Sequence, residues 1–394
     1  MNPVAAPERS GTASALGRCV GDPATFLRVT WGRSATIHAG VDPRGFEDLL
    51  SFEDVDRILS TTSPRTPAFR LVQAGKQIPE SAYTRSGTTG SKPVTGMADP
   101  GRIAELFEGG ATIVLQGLHR YHEPVARFVR DLELELGHRC QANAYVTPPG
   151  SQGLSLHDDP HDVFVLQAFG RKAWDIHPAP SEPRREPIRA TVRSGDAIYM
   201  PEGTPHAATA QETISGHLTV GIHVTSWREV LAEAFERAGD RAGWDDPLPA
   251  GWVHDPVRFQ EAVTERLGSL RDGLSQIDPK DLAEERGIGF LSSRASLLRG
   301  VLVDRQQLEG IGDRSQLERR PGSVCELRPR GERLLVLLGD RGLEMPGWLE
   351  PAMGLIASRP SIVVADLADV LPDHHSRLVL ARRLVREGLL SPVR

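Results

Sequence analysis

The pattern of apolar and polar positions is strand-like in the middle of the chain and helix-like on either side. Between about residues 140 and 225, short runs that are apolar or alternate with a period of two are separated by glycine and proline. These runs are QANAYVTP, DVFVLQAFG, KAWDIHP, IRATVRSGD, AIYMPEG and HLTVGIHVT. A period of two places successive side chains on opposite faces of a strand, and closely spaced turn residues keep strands short. The stretch therefore predicts a β-barrel or jelly roll.

Helical spacing precedes the strand-rich stretch. Residues 46–60 and 122–137 carry apolar side chains every three or four positions, which predicts an amphipathic helix in each segment. Residues 80–101 are rich in glycine, serine, threonine and proline and predict a long loop. Residues 1–23 are small and polar, without an apolar core of signal-peptide length, and we expect a disordered leader there.

Helical spacing returns after Trp227. The segment WREVLAEAFERAGD has an apolar stripe, and apolar residues from Phe259 to Leu274 recur at steps of four, four, three and four. A helix of this length outside the barrel needs a partner surface, either the rest of the chain or a second copy. Residues 323–337 alternate like a strand pair, and MPGWLEPAMGLIAS and HHSRLVLARRLVREGLL have helical spacing. This last part predicts a small α+β unit of winged-helix type.

Composition narrows the class of protein. Hydrophobic residues make up 39% of the 394 residues and charged residues 25%, as in ordinary globular proteins. The net charge is −6, and from residue 301 to 394 there are 14 arginines against 13 acidic residues, which argues against direct DNA binding. Three separated cysteines without a CxxC pair fit a reducing cytoplasm better than a disulfide framework. No run of 18 apolar residues occurs, so we expect no membrane span.

The first candidate chemistry is a metal site built from two separated motifs. His157 and Asp159 point to the same side of a strand, so they can hold one face of an ion. In SGDAIYMPEGTPHAA (194–208), the spacing of Gly-Asp, Pro-x-Gly and His206 resembles the second motif of cupin barrels, whose histidine points inward. Two imidazoles and one carboxylate on one face of an ion are typical of non-haem Fe(II) oxygenases. The alternative for His206 is a turn histidine bonded to the backbone.

A lysine follows the first motif. If the barrel binds 2-oxoglutarate, the keto-acid end chelates the iron and the distal carboxylate needs a cationic partner. Lys172 lies just past a turn at Gly170, on the same strand as Trp174. Arg171 is the alternative because neighbours on a strand face opposite sides, and the spacing does not decide which of the two points inward.

Polar residues on neighbouring strands complete the candidate set. Asn143 and Tyr145 are two apart and share one side of their strand, where Tyr145 can reach a cosubstrate carboxylate and Asn143 the ligand sphere. In isolation both are ordinary strand residues. Further polar candidates are Asp158, His161, His217 and His223. We expect surface or core positions for His161 and His223, and at most an indirect, supporting position for His217.

Taken together, these motifs resemble a known family. NAYVTPPGSQGLSLHDDPHDVFVLQAFGRKAW and GDAIYMPEGTPHAA are similar to the JmjC-type ribosomal oxygenases, cupin-like protein hydroxylases of bacteria and eukaryotes. A weaker similarity extends upstream through FLRVTWGRSATIHAG and downstream to the C-terminus, so that it covers most of the chain from about residue 24. The segment WGRSATI lacks the proline that usually follows the tryptophan and a basic residue in this family, which leaves the choice of substrate open.

The resemblance implies cofactors, site residues and a reaction. It makes His157, Asp159 and His206 the ligands of Fe(II). It makes Lys172 the partner of the distal carboxylate of 2-oxoglutarate, and places Asn143 and Tyr145 in the same pocket. The implied reaction hydroxylates a protein side chain, a histidine or arginine of a ribosomal protein, and releases succinate and carbon dioxide.

The resemblance also implies an architecture. The fold class is mainly β with flanking helices: a double-stranded β-helix, followed by a helical dimerisation region and a winged-helix-like domain. The predicted domains are a leader (1–23), a catalytic domain (24–226, with the barrel core at about 140–226), a dimerisation region (227–299) and the winged-helix-like domain (300–394). We expect a cytoplasmic homodimer that binds a protein or peptide substrate.

Other functions stay open on the sequence. The same chemistry could act on a free amino acid, a peptide natural product or another small metabolite. A JmjC demethylase of methylated side chains is a second alternative, and a non-catalytic cupin-fold scaffold is a third. The intact ligand set and Lys172 argue against the scaffold. The identity of the metal is also open, because affinity alone favours other divalent ions over iron.

Overall fold

Two compact units make up the chain, Met1–Val224 and Thr225–Arg394. The structure is a computed structural model that describes residues 14–42, 44–179 and 186–393. No helix among these residues has the length and apolar character needed to cross a bilayer. The predicted end of the catalytic domain at residue 226 lies two residues from the boundary between the units.

The first unit contains thirteen strands and five α-helices in its described residues. The strands are β1 (Thr36–His38), β2 (Phe69–Gln73), β3 (Lys76–Gln77), β4 (Thr84–Thr89), β5 (Lys92–Ala98), β6 (Thr112–Leu115), β7 (Arg139–Thr147), β8 (Asp162–Phe169), β9 (Arg171–Ile176), β10 (Ile188–Arg193), β11 (Ala197–Met200), β12 (His206–Ala210) and β13 (Ser215–His223). The helices are α1 (Ala15–Val20), α2 (Pro23–Val29), α3 (Phe52–Thr61), α4 (Pro100–Glu108) and α5 (Glu123–Leu136).

Two antiparallel sheets form the predicted jelly roll. The larger sheet has the strand order β1-β11-β8-β13-β7-β6-β2-β3, and the smaller one has the order β10-β9-β12. Val163, Val165 and Ile198 of the larger sheet share a buried cluster with Trp174 and Val192 of the smaller sheet. Strand β7 of the larger sheet directs the polar side chain of Tyr145 toward the same space, beside Val165 and Trp174. The mainly β fold with flanking helices is confirmed.

The outer face of the larger sheet is covered by helices. Phe164 and Leu218 from the sheet lie in one buried cluster with Ile58 of α3 and Phe128 of α5. Burial of one such large side chain contributes about 1.5–3 kcal/mol to folding. The helix predicted over residues 122–137 is therefore confirmed, and its apolar stripe is the face that packs on the sheet.

Two expectations for the N-terminal part were wrong, and a third placed the start of a helix too early. The leader predicted at 1–23 contains a helix, α1, whose Leu16 and Cys19 are buried and whose first amides donate to the Glu135 carboxylate at 3.0 and 2.8 Å. The helix is only six residues long, too short for a helical period to be recognised in the sequence. Residues 1–13 of the predicted leader lie outside the described residues.

The other two errors concern residues 46–60 and 80–101. The helix in the first segment begins only at Phe52, because Ser51 and Asp54 form a capping box there. The predicted loop is instead a hairpin of β4 and β5. Most residues of this hairpin are exposed or half-buried, so neither face requires the apolar alternation by which strands are recognised.

The second unit combines helices with two small sheets. Its helices are α6 (Trp227–Arg241), α7 (Pro256–Ser275), α8 (Pro279–Ser292), α9 (Val301–Gln306), α10 (Glu350–Ser358) and α11 (His374–Arg386). Its strands are β14 (Gln316–Arg319), β15 (Glu326–Arg330), β16 (Arg333–Leu337), β17 (Gly342–Pro346), β18 (Ser361–Val363) and β19 (Leu390–Pro392). They form the sheets β18-β14-β19 and β15-β16-β17, and the predicted strand pair is β15 and β16. The winged-helix and dimerisation assignments stay predictions.

Candidate metal centre

The two predicted metal-site motifs meet at one end of the smaller sheet. His157 lies in the connection between β7 and β8, and His206 is the first residue of β12. The two residues form an antiparallel bridge, in which the amide of His206 donates to the carbonyl of His157 at 2.8 Å and the reverse bond is 3.2 Å long. The β7–β8 connection therefore runs alongside β12 and holds the two imidazoles next to each other.

Backbone carbonyls fix the tautomer of both imidazoles. Nδ1 of His157 lies 2.8 Å from the carbonyl oxygen of Ser155, and Nδ1 of His206 lies 2.9 Å from that of Thr204. A carbonyl oxygen can only accept, so each Nδ1 carries the proton and each Nε2 keeps a free lone pair. Burial also lowers the pKa of His206, which favours its neutral, metal-binding form. Carbonyl contacts of this kind orient histidine ligands in metal sites.

Asp159 joins the two histidines. Its Oδ2 lies 3.7 Å from Nε2 of His206, and the rings of His157 and His206 are 4.4 Å apart between centroids. One ligand atom from each of the three residues lies within 4.8 Å of the other two. Two imidazole nitrogens and one carboxylate oxygen are a donor set that suits a divalent transition metal.

A turn before His206 ties it to Asp159. The amide of Gly203 donates to the carbonyl of Asp159 at 3.0 Å. The amide of Glu202 donates to Oδ1 of the buried Asp162 at 2.9 Å, and the hydroxyl of Tyr199 donates to Oδ2. Burial, together with Asp162, raises the pKa of Tyr199, so this phenol remains a donor. Asp162 thus anchors the turn that sets the distance between two of the candidate ligands.

A pocket extends from these three residues into the barrel. Its volume is about 40 Å³. It is lined by Tyr145, Gly153, Leu154, His157, Asp159, Val165, Lys172, Trp174, His206, Ala208, His217 and Thr219. Thus five of the six predicted site residues line one pocket, and Asn143 is the exception.

Lys172 points into this pocket and Arg171 points away from it. Lys172 is 2% exposed, whereas Arg171 is exposed, so the structure decides the orientation that the sequence left open. The ammonium Nζ donates to Oγ1 of Thr147 at 3.1 Å, and no ion pair to a carboxylate forms within the described residues. Burial lowers the pKa of Lys172 to about 7. A buried amine with a hydroxyl as its partner is suited to an anionic ligand.

Two more polar groups in the pocket wall lack partners. Nδ1 of His217 and Nε1 of Trp174 are buried and have no hydrogen bond to any described residue. Burial and the nearby Lys172 lower the pKa of His217 well below its ordinary value, so its ring is neutral. Buried polar atoms are nearly always paired, so these two atoms indicate that the pocket is shaped for a polar ligand.

Tyr145 and Asn143 have different surroundings. The Tyr145 ring stacks on His217 with centroids 5.2 Å apart, and burial raises the pKa of its hydroxyl. Asn143 lies beside Tyr145, but its Oδ1 accepts from the amide of Gly117 at 2.8 Å, a bond that holds the chain after β6. Asn143 is therefore a neighbour of the pocket wall, with one of its polar atoms already used.

The remaining histidine candidates lie outside the pocket. The rings of His161 and His223 contact each other edge-on with centroids 5.1 Å apart, and Asp158 is exposed. Sequence reasoning missed Trp174 and Thr219 as pocket residues and Thr147 as the partner of Lys172. The period of two could have found Thr147 from Tyr145 and Trp174 from Lys172, because each pair shares a strand face. The positions of Thr147 and Thr219 depend on pairing between distant strands.

A comparison with protein families agrees with this geometry. Residues 119–230 match the JmjC domain. The matched range begins before α5, contains all three candidate ligands and ends in α6. The resemblance to JmjC-type ribosomal oxygenases noted from the motifs is thereby confirmed.

The curated proteins to which this chain is similar are longer than the chain itself. Ribosomal oxygenase 1 of Bos taurus is 29% identical over 320 residues, covering 72% of this chain and 46% of its own length. Ribosomal oxygenase 1 of Rattus norvegicus is 28% identical over 290 residues, covering 69% and 43%. The bifunctional lysine-specific demethylase and histidyl-hydroxylase NO66 of Branchiostoma floridae is 26% identical over 314 residues, covering 79% and 47%. The chain spans less than half the length of these relatives.

Solved structures share the fold of this chain. The Escherichia coli ribosomal oxygenase YcfD is 19% identical, with a TM-score of 0.54, covering 95% of this chain and 99% of its own. A structure of YcfD in complex with cobalt and 2-oxoglutarate gives a TM-score of 0.53, again at 19% identity, covering 94% and 97%. At this identity the likeness concerns the fold, over nearly the whole of both chains.

Proposed function

We propose that this JmjC protein is an Fe(II)- and 2-oxoglutarate-dependent oxygenase that hydroxylates a histidine or arginine side chain of a ribosomal protein. One observation carries the proposal. A His-Asp-His donor set lines the same pocket as a buried lysine that has no acidic partner among the described residues. This combination of a cation site and an anion site is what a chelating dicarboxylate requires.

The two ends of the pocket are spaced along one strand. His206 is paired with Ile176 of β9, and Lys172 lies four residues earlier on the same strand. Four strand residues span about 13 Å. A lysine side chain and a five-carbon diacid can bridge this span between them. In the proposal, His157, Asp159 and His206 hold Fe(II), and Lys172 with Thr147 binds the distal carboxylate of 2-oxoglutarate.

The pocket's own side chains position the ligands and exclude water. When bound, Fe(II) and 2-oxoglutarate would supply the chemistry by which dioxygen, the oxidant, places one oxygen atom in a C–H bond of the substrate and the other in succinate, with release of carbon dioxide. Tyr145 keeps its phenolic proton and donates it in a hydrogen bond toward the cosubstrate. The His217 ring stacked on it is neutral, so it adds no positive charge that would compete with Lys172 for the cosubstrate carboxylate. Trp174 closes the wall beside His206, where their rings are 5.9 Å apart. Asn143 supports Tyr145 from the same strand.

The choice of substrate follows from the names of the relatives. Ribosomal oxygenases and a histidyl-hydroxylase are similar over 69–79% of this chain. One of these relatives is also named a lysine-specific demethylase, so demethylation of a methylated lysine is the second candidate function. Demethylation releases formaldehyde, whereas hydroxylation leaves an added oxygen atom on the product, so the two reactions are distinguishable.

We infer the larger organisation from the same resemblance. The catalytic domain is 24–226, the dimerisation region 227–299 and the winged-helix-like domain 300–394. The apolar residues that remain exposed on α6 and α7 support a homodimer. Three free cysteines support a reducing, cytoplasmic location.

The test is turnover on ribosomal proteins. The purified chain is incubated with Fe(II), 2-oxoglutarate and ribosomal proteins, and succinate, formaldehyde and the masses of tryptic peptides are measured. We expect succinate and a peptide that has gained one oxygen atom, at a histidine or arginine. His206→Ala abolishes both signals, whereas the exposed His223→Ala does not. Turnover only with free amino acids or metabolites would overturn the ribosomal substrate.

A further inference from the structure

The second unit contains a large groove that the proposed oxygenase reaction does not use. We call it the β17–α11 groove, and its volume is about 660 Å³. It is lined by Leu343, Glu344, Met345, Pro346, Trp348, Leu349, His375, Ser376, Val379, Leu380, Arg382, Arg383 and Arg386. These residues come from a strand, the turn after it and one helix, so the groove has two different walls.

One wall is the open edge of β17. Within the described residues, β17 pairs only with β16. The amide of Gly347 donates to the carbonyl of Glu332 at 2.7 Å, and that of Leu338 donates to the carbonyl of Arg341 at 2.9 Å. Bonding alternates along an antiparallel pair, so Gly342 and Glu344 turn their backbone groups away from β16. Four consecutive residues, 343–346, line the groove, as expected when a strand presents its edge rather than one face.

The other wall is one stripe of α11. His375, Val379, Arg382 and Arg386 follow one another at steps of four, three and four, and so lie along one side of the helix. The buried Leu380 and Met345 form an apolar floor, and Trp348 stands beside it with 61% of its surface exposed. An exposed tryptophan next to an apolar floor is typical of the centre of a binding surface.

The groove is positively charged. Its single carboxylate, Glu344, is paired with Arg333 at 2.9 Å. Arg383 forms an ion pair with Glu387 at 2.7 Å. Arg382 donates to backbone carbonyls, which carry no net charge, so the charge of Arg382 is uncompensated. The guanidinium of Arg386 forms no ion pair with the described residues. Cationic side chains therefore face an open strand edge above an apolar floor.

We propose that the β17–α11 groove binds an extended acidic segment of a partner protein, which adds to the sheet as a neighbour of β17. Strand addition satisfies the outward backbone groups of Gly342 and Glu344. Alternate side chains of the segment then point to the apolar floor and toward Arg382 and Arg386. The apolar floor favours a peptide over a nucleic acid, whose phosphates would use the arginines alone.

The test uses a labelled peptide and the full-length chain. The probe is a fluorescein-labelled peptide in which glutamate alternates with isoleucine, and binding is followed by fluorescence anisotropy. We expect saturable binding that Arg386→Glu weakens roughly tenfold or more and that Trp348→Ala also weakens. Arg314→Glu, an exposed arginine of the same unit outside the groove, is the matched control and leaves the affinity unchanged.

A second experiment changes the peptide and keeps the wild-type protein. The same peptide with alternate backbone amides N-methylated on the pairing edge cannot form the strand ladder, and we expect its binding to be lost. Three results would each overturn the proposal: no saturable binding of the acidic peptide, equal binding of the N-methylated peptide, or displacement of the peptide by an RNA oligomer that binds more tightly.

Discussion

Lys172 affects both the binding of an anion in the pocket and the stability of the folded protein. In the described part of the chain, its ammonium group has a threonine hydroxyl but no carboxylate as a partner, and burial lowers its pKa to about 7. An anion bound beside it favours the charged form, so cosubstrate binding and protonation are coupled. The same desolvation opposes folding whenever the lysine is charged.

The first prediction is a pH dependence of 2-oxoglutarate binding. Above about pH 7 the free protein has a neutral Lys172, which must take up a proton to pair with the distal carboxylate. The affinity should therefore fall as the pH rises from about 7 to about 9. Calorimetry in buffers of different ionisation enthalpy should show proton uptake. Lys172→Arg keeps its charge and should lose this dependence; an equal slope in both proteins would contradict the coupling.

The second prediction separates stability from binding at the same residue. The pKa of Lys172 is lowered on folding, so its destabilising effect is fully present below about pH 7 and disappears as the pH rises toward the unfolded value of about 10.4. At about pH 6, Lys172→Met should raise the free energy of unfolding by roughly 1–3 kcal/mol while abolishing 2-oxoglutarate binding. Urea unfolding and calorimetry measure the two effects. A destabilised variant would show that the charge is already compensated.

At the scale of elements, the barrel depends on turns that bring distant strands into register. Gly170 connects β8 and β9 with a φ of 69°, and a Cβ built there would lie 2.0 Å from the carbonyl oxygen of Ile214. Gly150 has a similar φ of 67°, but a Cβ added to it would meet no heavy atom within 4 Å among the described residues. Alanine at Gly150 would therefore introduce backbone strain alone, whereas alanine at Gly170 would add a steric clash.

The third prediction compares alanine at these two positions. Gly150→Ala should cost about 1–2 kcal/mol, the penalty of a left-handed conformation. Gly170→Ala adds the clash with Ile214 and should cost at least about 3 kcal/mol, with weaker 2-oxoglutarate binding because Lys172 follows the turn. Chemical denaturation of both variants tests this. Equal losses at the two sites would contradict the role given to the close contact.

Much of the barrel and of the site could be predicted at this scale, for physical reasons. Strands such as β7 and β9 alternate in burial, β8 and β11 are continuous buried runs, and turn residues separate them, so the strands are recognisable. The motifs at His157 and His206 carry ligand chemistry in their local spacing. The hairpin β4–β5 could not be recognised, because it buries neither face. The sequence also could not show whether Lys172 or Arg171 points inward, or that Thr147 bonds to the lysine. Both depend on the pairing of strands far apart in sequence.

At the scale of the whole molecule, α6 and α7 present apolar side chains to solvent. Leu267 of α7 is 61% exposed, and Trp227 and Leu231 of α6 are exposed as well. An apolar face of this kind on helices that pack against each other favours association with a second copy. The dimer would bury side chains that a single chain leaves in water.

The fourth prediction tests this dimer. Wild-type protein should be dimeric by light scattering after size exclusion, and Leu267→Glu should be monomeric, because the charge would be buried in the interface. Leu302→Glu in α9, where the leucine is 79% exposed outside the helical pair, is the control and should stay dimeric. A monomeric wild type, or a dimeric Leu267→Glu, would rule out this interface.

The central claim is that one pocket holds Fe(II) and 2-oxoglutarate together. The most direct measurement is anaerobic absorption of the metal-free protein, titrated with Fe(II) and then with 2-oxoglutarate. The proposal predicts a visible charge-transfer band in wild type and in His223→Ala, and none in His206→Ala. A folded, metal-free wild type that develops no band under these conditions would contradict the oxygenase function and leave the scaffold as the better explanation.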